Sequence, residues 1–178
     1  KNDFWEFDPA TSAWTRKMDF PVLITYATAF SIEETGYFTM GKQGSVYYHM
    51  LYRYDPDDDL WTQMRSNPVN SSAMDSPGFV INGKAYVPAG GEMYEYDPAS
   101  DQWTKKSYPE ALGYFGGGSA FTINGKGYLG VGWAQEKSAD VSDFYEYDPG
   151  TDSWTRKASF PGTLRNNATS FSLPNGKG

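Results

Sequence analysis

The chain contains no cysteine and only one histidine, His49, among its 178 residues. Without cysteine it forms no disulfide and offers no thiolate for metal binding or nucleophilic catalysis. Zinc and copper centres need several imidazoles or thiolates, which this sequence does not supply. We therefore predict no transition-metal cofactor. A structural calcium ion stays open at the acidic run 55–59, where an exposed turn is the favoured interpretation.

Basic clusters and long apolar runs are also missing. Lysine and arginine number 15 against 22 aspartates and glutamates, a formal net charge of -7, and no basic run exceeds Lys105-Lys106. A nucleic-acid partner is excluded because a phosphate backbone requires a clustered basic face. No transmembrane segment is predicted, because no stretch approaches the roughly 18 uncharged apolar residues of a span.

Aromatic residues, in contrast, are abundant and recur in one motif. Segments 4–14, 51–61, 93–103 and 144–154 align without a gap, each with an aromatic residue before Asp-Pro and a tryptophan five residues after the proline. The tryptophans are 47, 42 and 51 residues apart at Trp14, Trp61, Trp103 and Trp154. This period is typical of four-stranded propeller blades. We expect all four tryptophans to be core residues.

Each repeat contains signals for two hairpins. The alternation Tyr94, Glu95, Tyr96 has the period of two of a strand, and the following Asp-Pro favours a turn. Upstream, Asn-Gly at 82–83 and 124–125 lies between apolar runs, which indicates type I′ turns. The repeats therefore predict four-stranded antiparallel sheets, with the recurring Glu6, Glu95 and Glu146 in structural roles.

The double glycine Gly90-Gly91, the aromatic residue before Asp-Pro and the spaced tryptophans resemble the kelch family of β-propellers. In its sequence, the motif is most similar to kelch domains of secreted and surface bacterial proteins. The resemblance implies an all-β propeller of four-stranded blades. We expect a partial blade at 1–20, blades at about 21–66, 67–107 and 108–160, and a partial blade at 161–178. A fragment of a five- to seven-bladed propeller is favoured, with a compact four-bladed ring as the alternative.

The variable loops are expected to form one rim of such a propeller and to carry recognition. They comprise 41–48, 67–76, 108–118, 130–142 and 160–167. Because aromatic and arginine side chains are enriched in contact hot spots, the predicted binding residues are Trp133, Tyr114, Phe115, Tyr48 and Arg165. For Trp133, Tyr114 and Phe115, packing against a neighbouring loop is the favoured interpretation and a contact with a partner is the alternative. No catalytic residue is predicted.

Three classes of function follow from the resemblance. The favoured one is a non-catalytic binding or scaffolding propeller that holds a protein or glycan partner on its variable rim, secreted or at the cell surface. The second is a structural module of an envelope or secretion assembly. The third is a sugar-acting enzyme such as a sialic-acid mutarotase-like protein. Copper-oxidase chemistry is argued against because its cofactor needs a cysteine and its metal needs two histidines.

Overall fold

The computed structural model describes residues 1–69 and 75–178, and over these residues the chain is all-β. Apart from the strands it contains two single-turn 3-10 helices, Glu110–Leu112 and Gln135–Lys137. The prediction of an all-β chain is confirmed. No helix in the described part is long and apolar enough to cross a membrane.

The strands of the described residues form two hairpins and three larger antiparallel sheets. The N-terminal hairpin consists of β1 (Phe4–Asp8) and β2 (Ala13–Lys17). The first sheet has the order β3 (Thr28–Ile32), β4 (Thr35–Thr39), β7 (Leu51–Asp55) and β8 (Leu60–Met64). A small hairpin of β5 (Lys42–Gln43) and β6 (Val46–Tyr47) projects from the connection between β4 and β7.

The second and third sheets repeat the first. The second runs β9 (Phe79–Ile81), β10 (Lys84–Ala89), β11 (Glu92–Asp97) and β12 (Gln102–Lys106). The third contains β14 (Ser119–Ile123), β15 (Lys126–Ala134), β16 (Ala139–Asp148) and β17 (Ser153–Arg156), with β13 (Phe115–Gly116) also paired to β15. The predicted four-stranded pattern is therefore present three times.

The turns adopt the predicted chemistry. Asn82 and Gly83 both have positive φ, at 50° and 75°, as a type I′ turn requires, and 124–125 matches them. In the Asp-Pro turns the aspartate side chain accepts a backbone N–H two residues on, as Asp97 does from Ala99 at 3.0 Å. These local bonds fix where each strand ends.

Neighbouring sheets pack face to face through aromatic side chains. In the second sheet Phe79 and Tyr86 stack with ring centroids 5.4 Å apart, and Tyr147 of the third sheet packs on both rings. The first sheet has an equivalent stack, Phe30 on Tyr37, against the second sheet. Gly127 permits the close approach, since a Cβ there would lie 2.2 Å from the Phe79 ring. The core thus lies between sheets.

A repeated set of polar contacts, which we call the junction clasp, joins each sheet to the strand end before it. In the second sheet, Trp103 Nε1 donates to Arg65 O at 2.8 Å and Asp101 accepts from Arg65 N–H at 3.0 Å. The Tyr96 hydroxyl also donates to Asp101, at 3.0 Å. The same contacts join Tyr54, Asp59 and Trp61 to Met18, and Tyr147, Asp152 and Trp154 to Ser107.

The N-terminal hairpin has the repeat motif without the clasp. Trp14 pairs with Phe7 in the register of the other repeats, but Phe7 replaces the tyrosine and Ser12 replaces the aspartate. Trp14 is 65% exposed. The prediction that all four tryptophans are core residues is therefore wrong for Trp14, because no preceding strand end covers its ring among the described residues. The other three are half-buried.

Two of the three recurring glutamates, Glu95 and Glu146, have the predicted structural role, whereas Glu6 is exposed and forms only a 3.8 Å ion pair with Lys17. Glu95 on β11 accepts hydrogen bonds from Lys84 at 3.0 Å and Tyr86 at 2.9 Å, and it forms an ion pair with Lys106 at 3.1 Å. Burial alone would raise the pKa of Glu95, but these partners outweigh it and hold the pKa below its usual value. Glu146 repeats the arrangement with Lys157 and Tyr128.

Candidate functional site

The segments that lead into successive sheets are joined by a chain of backbone hydrogen bonds. Asp75 N–H donates to Tyr26 O at 2.9 Å, Gly117 N–H to Asp75 O at 2.9 Å, and Asn167 N–H to Gly117 O at 2.6 Å. All four residues have left-handed φ values between 53° and 58°. Each lies four residues before a phenylalanine, at 30, 79, 121 and 171, and the first three of these lie in the first strand of a four-stranded unit. We call these residues the left-handed series.

Three members of this series line a small cleft. Its walls are Asp75, Gly116, Gly117, Asn166 and Asn167 together with two aromatic residues, Tyr114 and Trp133, around a volume of about 270 Å³. Trp133 is placed by β15, where it pairs with Gly116 of β13 on one side and with Asp140 of β16 on the other. The cleft thus combines the segment before the second sheet, the segment before the third sheet, part of the third sheet, and the segment that follows the third sheet.

The amide groups of the cleft are oriented by a carboxylate. Asn166 Nδ2 donates to Asp140 Oδ1 at 2.8 Å, so the Asn166 oxygen is left to accept, and Asn167 Nδ2 donates to it at 2.7 Å. A carboxylate only accepts, which fixes both amide orientations. Asn167 Oδ1 then faces Gly117, where a Cβ would lie 2.9 Å from it. The amide nitrogens are therefore used within the cleft wall, whereas this oxygen is not.

Asp75 is the charged residue of the cleft lining. It is half-buried, and burial raises its pKa above the usual value. Among the described residues, no lysine or arginine forms an ion pair with it or lines the cleft. A carboxylate with a perturbed pKa in a cleft is a typical feature of a functional site.

The structure brings together two of the five predicted binding residues. Trp133 and Tyr114 line the cleft, half-buried. The expectation for Phe115 is wrong, because its ring is only 2% exposed and packs in the core of the third sheet. Tyr48 and Arg165 lie elsewhere: the Tyr48 hydroxyl donates to Gln43 at 3.2 Å, and Arg165 lies over the Phe160 ring.

Sequence reasoning missed Asp75, Asn166 and Asn167 as site residues. Asp75 was placed only in the variable loop 67–76, of which 70–74 lie outside the described residues. A signal was available, since Asp75 and Asn167 both lie four residues before a phenylalanine. Aspartate and asparagine tolerate the left-handed conformation better than most residues.

Two carboxylates of the acidic run 55–59 have structural roles. Asp55 accepts the backbone N–H of Asp57 at 3.1 Å, and Asp59 belongs to a junction clasp. Within the described residues no group of three or more histidine, aspartate and glutamate side chains is arranged to hold a metal. Burial lowers the pKa of His49, whose Nδ1 has no hydrogen-bond partner among the described residues.

A larger and mainly apolar cavity of about 520 Å³ lies against the third sheet and segment 158–171. Its wall includes Phe121, which stacks on Tyr128 at 5.3 Å. The equivalent stacks of the first and second sheets are covered by the following sheet. We therefore interpret this cavity as an uncovered sheet face and take the polar cleft as the candidate ligand site.

Comparisons with known proteins bear on the fold. No family model and no curated protein matches the sequence. Among solved structures, the chain is similar to YjhT, with a TM-score of 0.77 and 18% sequence identity over 92% of this chain. The match covers 61% of the YjhT chain. At this identity the likeness shows the arrangement of strands alone.

Proposed function

We propose that this chain is part of a kelch-type β-propeller that acts as a non-catalytic binding module. In this proposal the three sheets are blades, and the variable loops hold a protein or glycan partner at the cleft around Trp133. Face-to-face sheets, the repeated junction clasps and the left-handed series support a propeller, because each is a contact between successive repeats. A structure in which the sheets surround a closed axis would support this architecture, whereas an open stack would contradict it.

The observation that carries the binding role is the cleft. Segments distant in sequence converge there with two half-buried rings and a carboxylate, whereas the opposite ends of the sheets carry short, uniform turns. Loops on a rigid scaffold are where recognition commonly lies. A module of this kind fits a secreted or surface protein, and it fits a component of a larger surface assembly.

The test is a binding screen with matched variants. Wild-type protein is applied to glycan and peptide arrays, and the affinity of each ligand found is measured by calorimetry. Loss of an anchor typically costs about 2 kcal/mol, so Trp133→Ala should weaken binding roughly thirtyfold. Asn124→Gly, in the turn at the other end of the third sheet, should leave affinity unchanged because glycine accepts its φ of 50°.

Two outcomes would overturn the proposal. If Trp133→Ala leaves affinity intact while changes in the short turns remove it, the cleft is not the binding site and a structural module becomes the better interpretation. If the protein accelerates anomer exchange of sialic acid, followed by NMR, the non-catalytic assignment is wrong. Thermal unfolding of each variant checks that the chain is folded.

A further inference from the structure

We propose that the cleft binds the cationic group of a basic side chain on a partner protein, with Asp75 as its counter-ion and Trp133 and Tyr114 beside it. This inference rests on the proposed binding function and specifies its ligand. It favours a protein partner over a glycan. It also makes Asp75 a residue that determines specificity.

Some amide and carboxylate oxygens of the cleft are not matched by donors in the described part of the chain. The side-chain nitrogens of Asn166 and Asn167 already donate, to Asp140 and to Asn166 respectively. The Asp75 carboxylate and Asn167 Oδ1 remain as acceptors without a hydrogen-bond donor from the described residues. A ligand that complements these two acceptors must therefore supply donors. Guanidinium and ammonium groups are donors only, with five and three N–H bonds.

The charge of the cleft also favours a cationic ligand. Asp75 is half-buried without a cationic partner among the described residues, and Asp140 adds a second carboxylate behind the asparagines. An anionic ligand would be repelled and would find no basic side chain in the described lining. Burial raises the pKa of Asp75, which means that no neighbouring group of the described residues offsets the cost of burying its ionised form. A bound cation would offset that cost.

The size and the aromatic lining of the cleft narrow the choice of ligand further. Pockets for drug-sized ligands span about 300–1,000 Å³, and this cleft of about 270 Å³ is smaller. It suits one side chain better than a whole glycan. Aromatic rings attract cations through their negative faces, and the cation in such contacts is most often arginine. A guanidinium can also form two parallel hydrogen bonds with a carboxylate.

The experiment compares two probes of nearly equal size that differ in charge. Acetyl-arginine methylamide and acetyl-citrulline methylamide are titrated at low ionic strength into protein with assigned NMR resonances, and the Trp133 indole N–H is followed. The arginine probe should bind at least about tenfold more tightly than the citrulline probe. The preference should weaken as salt is added, because the carboxylate is only half-buried.

Matched variants locate the effect. Asp75→Asn keeps the size of the side chain and tolerates the left-handed φ of 53°, so it should remove the preference for arginine without unfolding the protein. Asp57→Asn, in the exposed Asp-Pro turn of the first sheet, makes the same charge change and should preserve the preference. The thermal midpoint of Asp75→Asn should equal or exceed that of wild type, because an uncompensated, half-buried charge is removed.

Equal binding of both probes, no binding of either, or an undiminished preference in Asp75→Asn would overturn the inference. These outcomes are separable from failure of the proposed function. If ligands from the arrays still require Trp133 while the arginine probe fails, the cleft binds a partner of different chemistry. If array ligands do not require Trp133, the proposed function itself fails.

Discussion

The N-terminal hairpin and the β11–β12 hairpin share one motif but have different surroundings. Both form the same register, with Phe7 opposite Trp14 and Tyr96 opposite Trp103. Trp103 is half-buried and donates to Arg65 O, whereas Trp14 is 65% exposed. The motif therefore specifies the hairpin by itself, whereas burial of its tryptophan requires a preceding strand end.

The largest expected difference is in the tryptophans. Trp103→Ala removes ring packing between the first and second sheets together with the bond to Arg65, so the free energy of unfolding should fall by about 2–4 kcal/mol. Trp14→Ala should change it by less than about 0.5 kcal/mol, as exposed substitutions do. Chemical denaturation of both variants measures this. Equal losses would show that the exposed hairpin is as dependent on its tryptophan as the clasped one.

The next difference concerns the aspartate of the junction clasp. Asp101 has φ 52° and Ser12, at the same motif position, has φ 54°. Glycine therefore fits the backbone at both positions, and Asp101→Gly isolates the lost carboxylate. That variant leaves Arg65 N–H and the Tyr96 hydroxyl without their acceptor, which should cost about 1–3 kcal/mol. Ser12→Gly serves as the control, and a loss as large there would refute the clasp as the cause.

Acid should weaken the clasps through their carboxylates. The Met18 N–H is the largest influence that holds the pKa of Asp59 below its usual value. Burial alone would raise the pKa of Asp152, but hydrogen bonds from Tyr147 and Ser107 outweigh it and lower that pKa. Their contribution to stability is therefore present above about pH 4 and is lost as pH falls through the lower folded pKa values.

A double variant tests this dependence. Asp59→Asn with Asp152→Asn should give a flatter curve of urea midpoint against pH, from neutral pH down into the acid range, than the wild type. Asp57→Asn with Asp58→Asn removes the same number of charges at two exposed positions that take no part in a clasp, and it should retain the wild-type slope. If both double variants flatten the curve equally, net charge rather than the clasp explains it.

The smallest difference is spectroscopic. Trp14→Phe should reduce the fluorescence that acrylamide quenches readily, because this ring is 65% exposed, while Trp5, 45% exposed, continues to contribute. Trp154→Phe should leave that component in place, since the Trp154 ring is half-buried and donates to Ser107 O at 2.9 Å. Stern–Volmer plots of both variants provide the measurement. A quenchable component that survives in Trp14→Phe at full amplitude would contradict the exposed position.

The hairpins were predictable because their signals are local. Asn82-Gly83 needs no tertiary contact to favour its turn, and the alternation around Glu95 fixes the faces of its strand. The junction clasp was not predictable from these signals, since it joins residues such as Trp103 and Arg65 that are far apart in sequence. The aspartate two residues before Trp61, Trp103 and Trp154 is visible in the sequence, but its partner is a backbone N–H just after a strand of the preceding repeat.

The site was predictable only in part for a related reason. Trp133 and Tyr114 were identified as aromatic loop residues, and the same reasoning failed for Phe115 because ring type does not reveal which face of a short strand is buried. Asp75 carries no motif of its own. Its importance comes from a cleft formed by distant segments and from the lack of a basic partner among the described residues.

The left-handed series separates architecture from chemistry. Its hydrogen bonds use only backbone atoms, so Tyr26, Asp75, Gly117 and Asn167 hold equivalent places while presenting a phenol, a carboxylate, no side chain and an amide. At Tyr26, Asp75 and Asn167, a substitution that accepts the left-handed φ alters what the surface offers and leaves these backbone bonds intact. Gly117 differs, because a side chain there would collide with Asn167. Mutation and selection can therefore change the surface chemistry at these three positions one residue at a time while the fold is kept.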